Sequence, residues 1–213
     1  GEQYVAQASF NKSQQSATSI AEIDQAALEA FATYPDDRFL GIRAQVAVLE
    51  MNRLLAIAEP TETDQQRFVE VADLALRFAN AAIASAPLNP EYHAILAGIY
   101  NNYAIAGVEG AQELSVASLN EAKRLDPKNP SYSFMEAQMA AARGDVNTAR
   151  ESLDAALRQK PNFAQALLFL AELDIATGDI EGAIESTRAI VTLEPQNPAR
   201  YYQLGILFTA AEQ

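Results

Sequence analysis

The sequence predicts an all-α fold of about eleven helices, arranged as antiparallel pairs that repeat along the chain. Proline recurs every 34 residues at Pro127, Pro161 and Pro195, and Gly144-Asp145 recurs at the same interval as Gly178-Asp179. The composition is 49% apolar with many alanines and no Trp or Cys, which favours packed helices over sheets. Because several independent positions share one period, the sequence indicates an internal repeat.

Each 34-residue repeat is predicted to contain two helices separated by a glycine turn. Apolar residues occur every three to four positions over 131–142 and again over 146–159. Gly144 lies between these segments, where a glycine supplies the left-handed conformation that ends a helix. Pro161 ends the second helix, because proline cannot continue a helix but fits the first turn of the next.

We expect the whole chain, residues 1–213, to form a single domain of such units. The expected units are a degenerate one at 3–35, an enlarged one at 36–88, one with an insertion at 89–129, two regular ones at 130–163 and 164–197, and a half unit at 198–213. The enlarged unit implies two long helices, near 37–58 and 63–85.

The residues of the repeat resemble the tetratricopeptide repeat (TPR), a 34-residue helix-turn-helix unit. The resemblance rests on a Leu-small pair, a following aromatic residue and a central alanine, found here as Leu96-Ala97, Leu170-Ala171, Leu204-Gly205, Tyr100, Phe208, Ala149 and Ala183. It implies a right-handed α-solenoid. It also implies a non-catalytic scaffold that binds a peptide or helical segment of another protein in its concave groove.

Three further segments resemble the soluble TPR region of bacterial polytopic membrane proteins. These segments are residues 34–40, 52–55 and 107–111. The resemblance implies an extramembrane domain of a bacterial membrane-anchored assembly. The alternative is a cytoplasmic protein, and the sequence does not decide between the two.

The acidic charge of the chain argues against several classes of partner. A formal net charge of −13 repels phosphate backbones and anionic lipid surfaces, so we expect no nucleic-acid partner and no direct membrane contact. His93 is the only histidine and cysteine is absent, so the sequence offers neither a histidine-based triad nor a cysteine nucleophile. We therefore expect no enzyme activity, cofactor or metal.

The carboxylates of the repeat region show no arrangement typical of acid–base catalysis. We expect most of this set to lie on a solvated helix face: Glu136, Glu151, Asp154, Glu172 and Asp174.

The predicted binding groove follows from the family register of the first helices. Phe134, Leu168 and Tyr202 occupy one equivalent position, and Gln138, Glu172 and Ile206 lie four residues later on the same helix face. Asn101 and Asn102 are expected to extend this stripe in the preceding unit. The alternatives are that neighbouring helices fill the stripe, that it mediates self-association, or that it is ordinary exposed apolar surface.

The last predicted helix, near 198–211, suggests a homo-oligomer. It carries Leu204, Leu207 and Phe208, and the sequence ends where a polar capping helix is expected, so either the native chain continues or another chain covers this end. We expect these three residues to form a self-association surface.

Overall fold

A computed structural model describes residues 2–16 and 20–211 and confirms the all-α prediction. These residues form eleven helices and no strand. The helices are α1 (Glu2–Ser16), α2 (Ile20–Thr33), α3 (Asp37–Leu55), α4 (Glu62–Ser85), α5 (Pro90–Ile105), α6 (Ala111–Leu125), α7 (Pro130–Ala142), α8 (Val146–Gln159), α9 (Ala164–Thr177), α10 (Ile180–Leu193) and α11 (Pro198–Ala211).

The chain divides into two compact units, Gly1–Pro127 and Lys128–Gln213. The first unit contains α1–α6, and α3 and α4 are its longest helices at 19 and 24 residues. The second unit contains α7–α11. The single domain that the sequence predicts stays a prediction.

Asparagine caps begin three of the helices by the same local chemistry. The side chains of Asn89, Asn129 and Asn197 accept hydrogen bonds from the backbone N–H two residues later. A proline follows each asparagine, and its missing N–H is not needed in the first helical turn. The Asn-Pro pairs of the sequence are therefore helix starts.

The glycine turns of the second unit are identical in their hydrogen bonding. Gly144 and Gly178 have φ values of +77° and +80°. Asp145 N donates to Ala140 O at 3.0 Å, and Asp179 N donates to Asp174 O at 2.8 Å. This pattern satisfies the last carbonyls of α7 and α9 and reverses the chain into the next helix.

The first unit is held together by small residues that allow close helix packing. In α4, Ala72, Ala75 and Ala82 are fully buried, and Met51 of α3 and Ile99 of α5 fill the adjacent space. Alanine at the contact brings helix axes together without leaving a void, and dense packing is what stabilises such an interior.

The core of the second unit also contains buried alanines, at the positions that the repeat predicts. Ala149 and Ala183, 34 residues apart, are both completely buried. Leu153 of α8 and Ile190 of α10 are also completely buried, and so are their repeat equivalents Thr187 and Ala156.

Candidate partner-binding surface

The residues predicted to form the groove on the second unit lie on three of its helices and differ in exposure. We call them the stripe and define it by Phe134 and Gln138 of α7, Leu168 and Glu172 of α9, and Tyr202 and Ile206 of α11. Gln138 and Glu172 are exposed, Phe134 and Leu168 are half-buried, and Tyr202 and Ile206 are 75% and 53% exposed. Each helix contributes an i, i+4 pair, whose members are neighbours on a helix surface.

The Phe134 end of the stripe rests on an aromatic cluster. Its ring lies 5.2 Å from Phe163 and 6.0 Å from Phe169, measured between centroids. The contact with Phe169 is edge to face, a preferred arrangement of aromatic pairs. It joins α7 to α9, so these two helices present their stripe residues from one packed support.

Ile175 extends the stripe on α9, although the sequence analysis did not select it. It is 43% exposed and lies three residues after Glu172 and seven after Leu168, hence on the same helix face. The i+3 and i+7 spacing of an apolar residue was the signal that could have identified it.

Charged side chains are few on α7, α9 and α11, and most of them contact neighbouring elements. Ser152 of α8 donates to Glu136 at 2.9 Å, and Arg200 pairs with Glu194 at 2.9 Å. Asp174 pairs with Arg150 of α8. Glu172 is the only other charged residue on these helices, and it forms no hydrogen bond or ion pair with the residues that the structure describes.

Asp174 is an exception to the expected solvated face. Its side chain is 1% exposed, and its carboxylate lies 2.5 Å from Arg150 Nη1 in a cavity of about 430 Å³ between α8, α9 and α10. A Cβ atom at Gly182 would lie 2.9 Å from this carboxylate and 2.7 Å from that of Asp179, so glycine leaves the room that both need. Burial raises the pKa of Asp174, and Arg150 opposes that rise.

The other four carboxylates expected on solvated faces are accessible to different degrees. Glu151, Asp154 and Glu172 are exposed, and Glu136 is half-buried beside Ser152.

Asn101 and Asn102, which the sequence places in the same stripe, belong to the first compact unit. Asn102 is 4% exposed, and its Nδ2 donates to Asn52 Oδ1 at 2.7 Å. Asn101 is half-buried on the same helix, α5. The amide of Asn102 is therefore occupied by a contact between α3 and α5.

The residues expected to mediate self-association share one face of α11, since they are three and four positions apart, but they differ in burial. Leu207 is buried, and Leu204 is half-buried with it against Ala183 and Ile184 of α10. Phe208 is 39% exposed, with the Arg188 guanidinium 5.0 Å above its ring. Leu204 and Leu207 thus hold α11 on the unit, and Phe208 remains partly accessible.

The described residues contain no cluster of three or more acidic, histidine or cysteine side chains placed to hold a metal ion. None of their helices is both long and apolar enough to cross a bilayer.

Comparison with known proteins supports the repeat. The tetratricopeptide repeat family model matches residues 140–205, and no curated protein matches the sequence. A thermophilic TPR protein of Thermus thermophilus, TTC0263, is similar in structure with 17% identity, a TM-score of 0.65 and coverage of 89% of this chain and 91% of that one. A tetratricopeptide repeat protein from Parabacteroides merdae ATCC 43184 has 14% identity, a TM-score of 0.54 and coverage of 98% and 73%.

The structure of MamA has the same helical architecture, with 18% identity, a TM-score of 0.53 and coverage of 72% of this chain and 86% of that one. At these identities the structural likenesses show the fold. The family match over residues 140–205 adds the repeat itself. Residues 140–205 are thus identified as tetratricopeptide repeats, within a chain that shares its helical fold with solved TPR proteins.

Proposed function

We propose that this protein is a non-catalytic scaffold that binds a peptide or helical segment of another protein along the stripe. The TPR fold suggests a protein-interaction scaffold, and proteins of this fold are generally non-catalytic. The observation that carries the finer proposal is the stripe itself. Tyr202 and Ile206 are 75% and 53% exposed and Leu168 is half-buried, and the three residues occupy equivalent or adjacent turns of repeated helices.

The exposed area of these side chains provides the driving force. Full burial of a Leu or Ile side chain contributes about 1.5–3 kcal/mol. Leu168 is already half-buried and Ile206 is 53% exposed, so each has roughly half of that to gain from a partner. Ordering of the partner offsets part of this gain, and hydrogen bonds from Gln138 are available to fix its register.

Leu168→Glu tests the proposal. The substitution removes one apolar contact and places a carboxylate one turn from Glu172, so a partner that covers both must desolvate two like charges. We expect peptides selected on the wild-type protein from a random library to lose at least about tenfold in affinity, which corresponds to 1.4 kcal/mol.

The matched control is Leu114→Glu, at an exposed leucine of α6 in the first unit. It makes the same chemical change away from the stripe and should leave the selected peptides bound. Circular dichroism establishes that both variants keep their helices. Equal binding by folded Leu168→Glu and wild-type protein would refute the proposal.

Self-association through α11 is the second candidate function. Tyr201, Tyr202, Ile206 and Phe208 give this helix an exposed apolar surface, and contiguous surfaces of this kind mark interaction sites. Sedimentation velocity over a concentration series should then show a mass above 23.0 kDa that Phe208→Asp reduces to the monomer. A monomer at every concentration would exclude this candidate.

A further inference from the structure

We propose that the segment bound by the stripe carries a positively charged side chain next to its apolar ones, and that Glu172 is the residue that selects it. This inference rests on the proposed function and specifies the chemistry of its partner.

The argument begins with the charges on the three helices that form the stripe. Four charged side chains occur on α7, α9 and α11. Three of them contact other elements of the second unit: Glu136 accepts from Ser152, Asp174 pairs with Arg150, and Arg200 pairs with Glu194. Their charges or hydrogen-bonding groups are thereby largely satisfied within the unit, and only Glu172 is available to a partner.

The residues around Glu172 make its charge important for the affinity of a ligand. It lies between Leu168, one turn before it, and Ile175, one turn after it, on the exposed face of α9. A segment that covers the two apolar residues must also cover the carboxylate. Removing that carboxylate from water without a partner group carries a large desolvation cost.

The charge of the ligand determines whether the desolvation cost of the Glu172 carboxylate is offset. An entirely apolar ligand leaves the carboxylate desolvated, and an acidic ligand adds repulsion. An ammonium or guanidinium group forms a charge-assisted hydrogen bond, which is shorter and stronger than one between neutral groups. Neighbouring turns of a helix lie about 5–6 Å apart between Cβ atoms, so the cation belongs within about one turn's distance of the apolar group over Leu168.

The charge of the whole chain acts in the same direction. A formal net charge of −13 attracts cationic segments over long distances and raises their association rate at low ionic strength. This attraction is not specific to the stripe, so the experiment must separate it from the local effect of Glu172.

Three peptides that differ only in one residue, Lys, Gln or Glu, make this separation. The parent peptide is one selected on the wild-type protein, and the varied position is scanned along it. At the best position we expect the Lys peptide to bind about 3- to 10-fold more tightly than the Gln peptide, and the Glu peptide to bind most weakly.

Glu172→Gln should reduce the preference for Lys over Gln to near one, because the Lys peptide loses its charge partner and the Gln peptide no longer desolvates a carboxylate. Glu172→Lys should reverse it in favour of the Glu peptide. Glu181→Gln, at an exposed position of α10, makes the same change in net charge and should leave the preference intact.

The outcomes distinguish this inference from the function on which it rests. Binding without a preference for Lys at any scanned position would overturn the inference and leave the scaffold function standing. So would a preference that Glu172→Gln does not change, since long-range attraction alone would then explain it. If no peptide that binds the wild-type protein can be selected from the library, the proposed function and this inference are overturned together.

Discussion

Two helical glycines of this protein should respond in opposite directions to the same substitution by alanine. Gly41 is buried in α3, where an added Cβ would lie 2.5 Å from Tyr92 Cε1. Gly205 lies in α11, where an added Cβ would meet nothing within 4 Å. The Tyr92 ring cannot easily move aside, because it is 3% exposed and its hydroxyl donates to Asp37 at 2.6 Å.

The magnitudes follow from two opposing effects. Alanine in place of glycine within a helix contributes about 0.8–1 kcal/mol through backbone entropy. Overpacking a filled interior costs about 1–3 kcal/mol. Gly41→Ala should therefore destabilise the protein by up to about 2 kcal/mol, whereas Gly205→Ala should stabilise it by about 0.5–1 kcal/mol.

Thermal unfolding followed by circular dichroism measures both changes. For a chain of this size, 1 kcal/mol corresponds to about 2–4 °C in Tm. We expect Gly41→Ala to lower Tm, Gly205→Ala to raise it, and Tyr92→Leu to rescue Gly41→Ala in part by removing the opposing ring. A rise in Tm for Gly41→Ala equal to that for Gly205→Ala would refute the packing argument.

Two further predictions concern the second unit. The folded-state pKa of Asp174 is raised above its ordinary value of 3.8, so its ionisation costs the folded state stability as pH rises through that raised pKa. The free energy of unfolding of Asp174→Asn, relative to that of the wild type, should then increase from about pH 3.8 towards neutral pH. Urea midpoints at several pH values measure this difference, and a difference that does not change with pH would contradict the prediction. Gly178→Ala should lower the free energy of unfolding by about 1–2 kcal/mol, because φ at this position is +80°. Gly178→Asn should lower it less. Unchanged thermal midpoints in both variants would contradict the backbone strain.

Local chemistry explains why most of the fold could be predicted from the sequence. The caps at Asn129, Asp145 and Asp179 and the turn at Gly178 each act within about six residues, so their spacing in the sequence is their spacing in the structure. The burial of Ala183 follows from the same register.

The structure adds what depends on residues distant in the chain. Asp174 has the polarity of a surface residue, and its burial depends on Arg150 and on the space that Gly182 leaves. Asn102 likewise donates a hydrogen bond to Asn52, which lies fifty positions earlier in the chain. The stripe positions on α7, α9 and α11 came from the register of the repeat, and their role in binding stays a prediction. The charge contacts that leave Glu172 without a partner among the described residues required the structure.

The most direct test of the proposed function is a methyl NMR titration of the isoleucine-labelled protein with a selected peptide. We expect the δ1 methyl groups of Ile175 and Ile206, which lie on the stripe, to shift with a common dissociation constant. Ile105, equally exposed in the first unit, should remain unchanged. Shifts at Ile105 with none at Ile175 or Ile206 would contradict the account, because the peptide would then bind away from the stripe.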